Sequence, residues 1–386
     1  MELQKKKKNK LTDHHWNIMN SLKLSRLLVP ILIASSLIMP VFILTSCKKE
    51  QNHNTDTNFN YVGKPDASNW KGITHYVQGI TQAEIIDGTQ TCKIIWNNNS
   101  DDCLVAHNLT IPKYIEFDGV KYEVVEIGIN TSEIPLAIEK TIIDFSGTLT
   151  LPDSLKIINE ETFIWCAKLT GELIIPDSVE YIMNSAFKEC QNLSGLKLGS
   201  SLKEIGWMAF YNCIGLKGTL IIPDFVTKID AGAFQECKNL TKLVLGSSLK
   251  IINTIAFNHC EKLQGTLELP DSLEFIGGMS FCHCCELTSV IIKKNLTTIE
   301  SYFLDDDNKV NNLVFSGFTD EISYSKVSEK DKIDDIRPNW SAISFMWMNK
   351  NGGTISVKNG TVAASEMLDF AKSKGLPDNW TIEQIY

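Results

Sequence analysis

Apolar residues recur with a fixed period through the middle of the chain, and each period has the same internal pattern. Short runs in which apolar and polar residues alternate, such as Leu196-Lys-Leu198 and Leu267-Glu-Leu269, predict strands whose alternate side chains face a core. A Pro-Asp or Gly-Ser pair then predicts a turn, and a Leu/Val-x-x-Ile element returns the chain along the core. The last part, Ala-Phe-x-x-Cys, spaces Phe and Cys at i and i+3, which predicts a helical turn with both side chains inward.

Six Phe-x-x-Cys pairs mark the repeat and form a candidate structural ladder. Their cysteines are 24, 23, 24, 23 and 24 residues apart. A period in the twenties predicts a solenoid, because one repeat cannot bury its apolar face alone. The 24-residue spacings carry Gly-Glu-Leu or Gly-Thr-Leu with Pro-Asp, and the 23-residue spacings carry Leu-Gly-Ser-Ser, so a duplicated two-repeat block is predicted. The ladder comprises Phe163 and Cys166, Phe187 and Cys190, Phe210 and Cys213, Phe234 and Cys237, Phe257 and Cys260, and Phe281 and Cys284.

The repeat resembles that of the BspA-like leucine-rich repeat family of bacterial surface proteins. The family pattern Ile-Pro-x-Ser-Val-x-x-Ile, followed by Ala-Phe-x-x-Cys-x-x-Leu, is present from Ile175 to Leu193, and the resemblance covers about residues 105–318. With the period, it implies an α/β-type solenoid of 23- or 24-residue leucine-rich repeats with short stacked strands and helical turns. Residues 129–146 and Tyr302–Asp307 lack the Ala-Phe-x-x-Cys step and are expected to be capping repeats.

Residues 1–46 have the pattern of a secretory signal peptide with an N-terminal extension. Basic residues precede an uncharged 18-residue stretch, Leu27–Leu44, and small residues follow it. The sequence Leu44-Thr-Ser-Cys47 resembles a bacterial lipobox, which implies that Cys47 is the lipid-attachment site. The alternative is a plain transmembrane anchor, although the stretch contains two prolines and barely reaches the roughly 20 residues that a span needs. Residues 47–60 are expected to be the anchor cysteine and a flexible tether, because they are polar.

The remaining chain divides into a lead-in, the repeats and a tail. Residues 61–128 are expected to form a β-rich N-terminal cap with a strand at Ile94–Trp96, and residues 129–318 the solenoid. Residues 319–386 are expected to be a linker and a small α+β module. A strand pattern at 352–358 precedes a helix pattern at 363–374, which ends before a glycine and a proline.

The mature chain is acidic and has no recognisable catalytic motif. The part after residue 46 has 30 Lys and Arg against 44 Asp and Glu, a net charge of −14, compared with −9 for the whole chain. This balance argues against nucleic acid as a partner, because nucleic-acid affinity comes largely from neutralised phosphates. The sequence has no nucleophile, metalloprotease, phosphate-loop or dinucleotide motif, so neither enzymatic activity nor a cofactor is predicted.

Eleven cysteines in an exported chain raise the question of disulfides and metal sites. The six ladder cysteines are expected to be small buried apolar residues, whereas Cys92 and Cys103 either pair or stay reduced. The run Cys282-His283-Cys284-Cys285, with His259 and Cys260 one repeat earlier, contains zinc-binding residue types. However, two of these cysteines belong to the ladder, and adjacent residues rarely converge on one metal, so no metal site is predicted.

The outward positions of the predicted strands form a candidate partner-binding face, because four of the seven are large and apolar. The alternatives are that terminal segments cover this row or that the opposite face is outward. These features predict a lipid-anchored protein on the extracellular face of the cell membrane. It would mediate adhesion or protein–protein interaction, and the resemblance implies host, matrix or neighbouring-cell surface proteins as partners. A substrate-capturing lipoprotein for a transporter or surface enzyme is the alternative and would need an enclosed pocket. The candidate partner-binding face consists of Thr150, Ile174, Lys197, Ile221, Val244, Glu268 and Ile291.

Overall fold

The computed structural model describes the repeat region and parts of the segments on either side. Some predicted features lie outside the described residues: the signal peptide, Cys47, the tether and Cys103. Every described residue belongs to the unit Thr57–Tyr386. The described residues are 71–75, 81–86, 89–96, 104–117, 119–129, 143–293, 295–296, 298–300, 302–304, 309–316, 352–358, 364–373 and 376–385.

The described chain is built of strands and turns, with one helix. The lead-in has β1 (Lys71–His75), β2 (Thr81–Ile85), β3 (Thr91–Trp96), β4 (Leu104–Thr110), β5 (Tyr114–Phe117) and β6 (Val120–Ile129). In the repeats, longer strands alternate with two-residue strands: β7 (Ile143–Thr150), β8 (Ile157–Ile158), β9 (Gly171–Ile174), β10 (Tyr181–Ile182), β11 (Leu193–Lys197), β12 (Glu204–Ile205), β13 (Gly218–Ile221), β14 (Lys228–Ile229), β15 (Leu240–Val244), β16 (Ile251–Ile252), β17 (Gln264–Glu268), β18 (Phe275–Ile276), β19 (Glu286–Lys293), β20 (Thr298–Ile299) and β21 (Asn312–Ser316). The tail has β22 (Thr354–Lys358), α1 (Ala364–Ser373) and β23 (Thr381–Ile385).

The seven two-residue strands, β8 to β20, stack in parallel into one continuous sheet, which we call the short-strand side. Each inward isoleucine pairs with the isoleucine one repeat away, as Ile182 does with Ile158 and Ile205. The lead-in joins this sheet through β6, which pairs with β8, and the predicted strand at Ile94–Trp96 is confirmed as the end of β3. The period of the sequence therefore gives the same strand pairing at each repeat along the solenoid.

The longer repeat strands form the opposite side, here the long-strand side, and they pair two by two. In the described chain, β9 pairs with β11, β13 with β15 and β17 with β19, whereas β11 and β13 belong to separate sheets. The first strand of each pair has a glycine at or next to its start, Gly171, Gly218 or Gly265, each with a φ of about +80°, a conformation that only glycine adopts at no steric cost. The pairing within each of these pairs contains a register shift. The shift lies beside this glycine and skips one residue of the second strand in every pair. The two-repeat block is therefore a structural unit.

The turns that follow the paired strands fit one another within each block. The Asp177 Oδ1 accepts a hydrogen bond of 2.8 Å from the backbone amide of Ser200, which holds the pKa of the Asp177 carboxyl below its usual range. Beside it, a Cβ on Gly199 would lie 2.0 Å from the carbonyl oxygen of Pro176. Gly246 meets Pro223 in the same way in the next block, at 2.2 Å. In these two blocks the Pro-Asp turn therefore packs so closely against the Gly-Ser turn of the next repeat that only glycine fits at that position.

The predicted helical turn at Ala-Phe-x-x-Cys is wrong. Ser185 and Glu189 have φ values of +54° and +65°, which interrupt the repeated negative φ of a helix. The amide of Phe187 donates to the carbonyl of Ala209 in the next repeat, at 2.8 Å, and the amide of Glu189 does the same to Tyr211. Because every second amide bonds to the next repeat, the segment is a series of turns that is cross-linked along the solenoid.

The ladder residues lie in the core. The phenylalanine rings from Phe163 to Phe281 stack on their neighbours with centroids 5.0–5.4 Å apart and interplanar angles of 4–17°. The cysteines from Cys190 to Cys284 each donate an S–H hydrogen bond of 3.1–3.3 Å to the carbonyl of the phenylalanine one repeat before. Cysteine is therefore a small apolar residue here that also satisfies a buried carbonyl.

The ends of the ladder depart from this stacking. Phe145 meets Phe163 at an interplanar angle of 51°, and Phe303 meets Phe281 at 75°, edge to face. Both end residues are buried although neither is followed by the cysteine of the repeat. The two flanking segments thus continue the aromatic core without the full repeat pattern.

The predicted separate α+β module at the C-terminal end is also wrong. The helix is present at Ala364–Ser373, but β22 pairs in parallel with β21, and β23 pairs in parallel with β22. These strands extend the long-strand side rather than forming their own domain. Ala371 of α1 is buried in the same core cluster as Ile355 of β22, so the helix covers apolar strand residues at the end of the solenoid.

Candidate functional site

The predicted outward positions occupy matching places on neighbouring long strands. Ile174 pairs with Lys197, Ile221 with Val244, and Glu268 with Ile291. The residue before each of these positions points inward, as Leu220 does at 1% exposure. The alternation of a strand therefore places the row on the outer surface, which we call the outer row.

The outer row is open in the middle of the solenoid and covered toward its C-terminal end. Ile174 is 52% exposed and Ile221 is 58% exposed, and Thr150, Lys197, Val244 and Glu268 are also exposed. Ile291 is half-buried, and Val314, which pairs with it, is only 6% exposed. The accessible apolar part of the predicted face is therefore Ile174, Ile221 and Val244, and Ile291 does not belong to it.

The repeat region matches the sequence profile of one known family. The sequence profile described as "BspA type Leucine rich repeat region" matches in six copies, over residues 145–264 and 227–343. These stretches together span just over half of the chain. The chain belongs to the BspA-type leucine-rich repeat family.

Several solved structures resemble this BspA-type protein. A leucine-rich repeat protein from Bacteroides ovatus has 18% identity and a TM-score of 0.37, over 81% of this chain and 100% of its own. The leucine-rich repeat protein of T. pallidum has 19% identity and a TM-score of 0.33, over 64% and 88%. The pneumococcal vaccine antigen PcpA has 16% identity and a TM-score of 0.30, over 82% and 100%. No curated protein matches the chain, and these identities are too low to transfer a function.

The cysteines of this BspA-type protein differ sharply in their surroundings. Burial raises the pKa of Cys190, Cys213 and Cys237 well above the usual range of a thiol. Cys92 is a buried free thiol whose pKa burial raises to about 12, so the predicted alternative of a pair with Cys103 is not formed. Only a thiolate reacts as a nucleophile, so Cys190, Cys213 and Cys237 are unreactive while the protein is folded.

We expect iodoacetamide at pH 8 to modify Cys282 and Cys285 in the folded protein and to leave Cys190, Cys213 and Cys237 unmodified. The first two are half-buried, whereas the ladder thiols are inaccessible and protonated. Peptide mapping by mass spectrometry measures the modified fraction at each site. A sample unfolded in urea is the control, in which all five should react. Equal rates at Cys213 and Cys282 in the folded protein would contradict the buried ladder.

The zinc-binding residue types of the fifth and sixth repeats come close together without forming a metal centre. The rings of His259 and His283 stack with centroids 4.1 Å apart, and Glu236 Oε1 lies 4.0 Å from Nε2 of His259. Burial lowers the pKa of His259, and the nearby Glu236 carboxylate opposes this shift. The thiol of Cys284 is directed to the carbonyl of Phe257. Among the described residues, no group of three or more His, Cys, Asp or Glu side chains is arranged to hold a metal ion.

One exposed residue near the outer row was not singled out from the sequence. Phe225 follows Ile221 by four residues, at the turn where the strand ends, and it is 67% exposed. No other large hydrophobic side chain in the described part of the chain is as exposed. A signal was present in the sequence, since the Pro-Asp turns at residues 152, 176 and 270 are followed by serine, and only the turn at Pro223 is followed by phenylalanine.

The membrane association predicted for the N-terminal segment falls outside the described residues. The one helix of the described part of the chain, α1, is neither long nor apolar enough to cross a membrane. Lipid attachment at Cys47 therefore stays a prediction from the sequence.

Proposed function

We propose that this protein is a lipid-anchored, cell-surface repeat protein that binds other proteins, in adhesion to a host, a matrix or a neighbouring cell. The observation that carries this proposal is the exposed apolar part of the outer row, Ile174, Ile221 and Val244. Single exposed apolar residues are ordinary on protein surfaces, but apolar residues that adjoin one another are typical of an interaction site. Ile221 and Val244 pair on neighbouring strands, and Lys197 lies between them and Ile174 in the row. Membership of the repeat family supports the proposal, because solenoids present extended surfaces to partners.

The lipid anchor belongs to the same proposal. The lipobox-like sequence before Cys47 and the polar tether after it would place the repeats outside the membrane. A substrate-capturing lipoprotein is less well supported, because the depression beside His259 and His283 is shallow and open rather than enclosed. An enclosed, largely apolar cavity is the usual site for a small molecule.

We expect the double variant Ile174→Lys with Ile221→Lys to lose binding to protein partners. The full chain, held in lipid nanodiscs, is applied to an array of matrix proteins and cell-surface glycoproteins, and dissociation constants are measured for the proteins it binds. Placing a charge in a desolvated apolar contact should weaken binding by about tenfold or more. Ile291 is not replaced, because it is half-buried and a lysine there would destabilise the fold.

The matched control is Met183→Lys with Thr254→Lys. It adds two lysines at exposed positions outside the long-strand side, so it should bind as the unaltered chain does. Equal weakening by both variants would indicate a general effect of charge and contradict the site. Binding that both variants retain would move the site away from the outer row.

A further inference from the structure

Phe225 replaces a serine that has a structural role in the other Pro-Asp turns. The hydroxyls of Ser154, Ser178 and Ser272 each donate a hydrogen bond of 2.7 Å to a backbone carbonyl of the preceding turn of the solenoid. For Ser178 and Ser272 the acceptor lies 23 residues earlier, so the corresponding acceptor for residue 225 is the carbonyl of Leu202. Phenylalanine cannot make this bond.

The backbone of the turn is unchanged around Phe225. The amide of Val226 donates to the carbonyl of Pro223 at 3.1 Å, and the equivalent amides of Leu155, Val179 and Leu273 make the same bond at the same distance. The turn thus keeps its backbone hydrogen bond with either serine or phenylalanine. The fold does not require this phenylalanine, and exposing an aromatic ring to water is unfavourable without a partner that covers it.

The surroundings of Phe225 combine apolar and acidic groups. Ile221 lies on the strand that leads into the turn, and Val244 pairs with Ile221 on the next strand. Exposed Asp177, Asp224 and Asp271 occur at every second repeat along the same corner, which sets them about 10 Å apart given the spacing of stacked strands. The outer strand positions themselves are balanced, with lysines at 197 and 242 and glutamates at 172 and 268.

Asp177, Asp224 and Asp271 form no ion pair with another residue that the structure describes, although the charge of Lys197 helps to lower the pKa of the Asp177 carboxyl. The backbone amides of Ser200 and Ser247 hydrogen-bond to Asp177 and Asp224 and keep the pKa of both carboxyls below the usual range. These amides carry no charge, so both aspartates remain negative at neutral pH. By contrast, Asp153 at the first such turn lies 2.9 Å from the ammonium of Lys113.

We propose that Phe225, flanked by Ile221 and Val244, is the central anchor of the partner-binding surface, and that the partner is a protein segment with an apolar pocket surrounded by basic side chains. This inference rests on the proposed function and specifies the chemistry of the partner. Aromatic residues that fill a pocket dominate the binding energy of many interfaces. Complementary charge around the anchor accelerates association and selects the partner.

The decisive variant is Phe225→Ser, which restores the residue of the other turns. We expect its melting temperature to be unchanged or higher, because serine can donate to the carbonyl of Leu202. Its affinity for the array proteins bound by the unaltered chain should fall by about thirtyfold or more. Phe225→Tyr keeps the ring and should bind normally. Tyr302→Ser, which removes an aromatic side chain that is 59% exposed elsewhere, is the matched control and should also bind normally.

The charge of the partner is tested with Asp177→Asn combined with Asp271→Asn. Asparagine keeps the side-chain oxygen that accepts from Ser200, so the turn is preserved and only charge is removed. We expect affinity to fall about threefold to tenfold at low salt and the difference to disappear near 1 M salt, where charges are screened. The control, Glu160→Gln with Glu204→Gln, removes two charges outside the long-strand side and should leave affinity unchanged.

Different results would contradict the Phe225 anchor, the basic partner and the proposed function. Normal binding by Phe225→Ser, with binding by the unaltered chain intact, would overturn the anchor and leave the proposed function standing. Normal binding by the aspartate variant at low salt would overturn the basic partner. No binding of any array protein by the unaltered chain would contradict the proposed function, and with it the anchor.

Discussion

We expect Phe210→Ala to lower the free energy of unfolding by about 3–5 kcal/mol. Phe210 is fully buried and stacks between Phe187 and Phe234 at centroid distances of 5.3 Å on both sides. Truncation removes the ring and leaves a cavity that the rigid stack cannot close, because the neighbouring rings are held by the repeats on either side. Urea unfolding followed by circular dichroism measures the change.

Phe225→Ala is the matched control for this prediction. It removes the same atoms in the next repeat of the solenoid, but from a ring that is 67% exposed. Its effect should stay within about 0.5 kcal/mol. If the two alanine variants had equal stability, the phenylalanine ladder would not be the core of the solenoid. A broadened transition for Phe210→Ala would indicate that the repeats on either side unfold separately, as repeat proteins can.

We expect Gly199→Ala to lower the free energy of unfolding by about 3 kcal/mol, the upper part of the range for overpacked sites. The new Cβ would lie 2.0 Å from the carbonyl oxygen of Pro176, so the backbone of one of the two repeats must move. Such a movement would also disturb the 2.8 Å hydrogen bond between Asp177 and the amide of Ser200. Thermal and urea unfolding of the variant measure the loss.

Gly218→Ala separates close approach from backbone strain. A Cβ on Gly218 meets nothing within 4 Å, but its φ is +81°, so alanine there suffers only the strain of that conformation, about 1 kcal/mol. Both variants change glycine to alanine and alter the unfolded chain equally. Gly199→Ala should therefore be the more destabilised of the two, and the reverse order would contradict the interlocked turns.

Several features of the fold follow from the repeat pattern because identical positions in stacked repeats share one environment. The inward position of Phe187 and Cys190 could be predicted, since the pair recurs with its neighbours in six registers and a core needs such recurrence. The exposure of Ile174 and Ile221 follows in the same way from the alternation of side chains along the long strands β9 and β13. The Phe225 anchor was visible as a deviation from the serine of the other turns. However, the role of Phe225 as an anchor depends on the exposure of its ring, which could not be predicted from the sequence.

Other features depend on hydrogen bonds between repeats, about which a single repeat carries no information. The i and i+3 spacing of Phe187 and Cys190 is compatible with a helix and with turns. The bond from the amide of Phe187 to the next repeat decides for turns, and the positive φ of Glu189 is a consequence of that bonding. The half-buried state of Ile291 has a similar origin. Its strand, β19, pairs with β21 and lies where the outer row becomes covered.

The sequence by itself determined that this protein is a solenoid of BspA-type repeats with an inward phenylalanine and cysteine ladder, and it predicted an outward row of strand residues. A period repeated in register admits no other way to bury every copy of its apolar face. The alternating spacings predicted a block of two repeats, and the structure showed which strands pair within it. Only the tertiary structure decided that the turns are not helical and that β22 and β23 extend the solenoid. These features depend on which backbone amides and carbonyls form hydrogen bonds between repeats and between distant segments. The local pattern of side chains does not specify those hydrogen bonds.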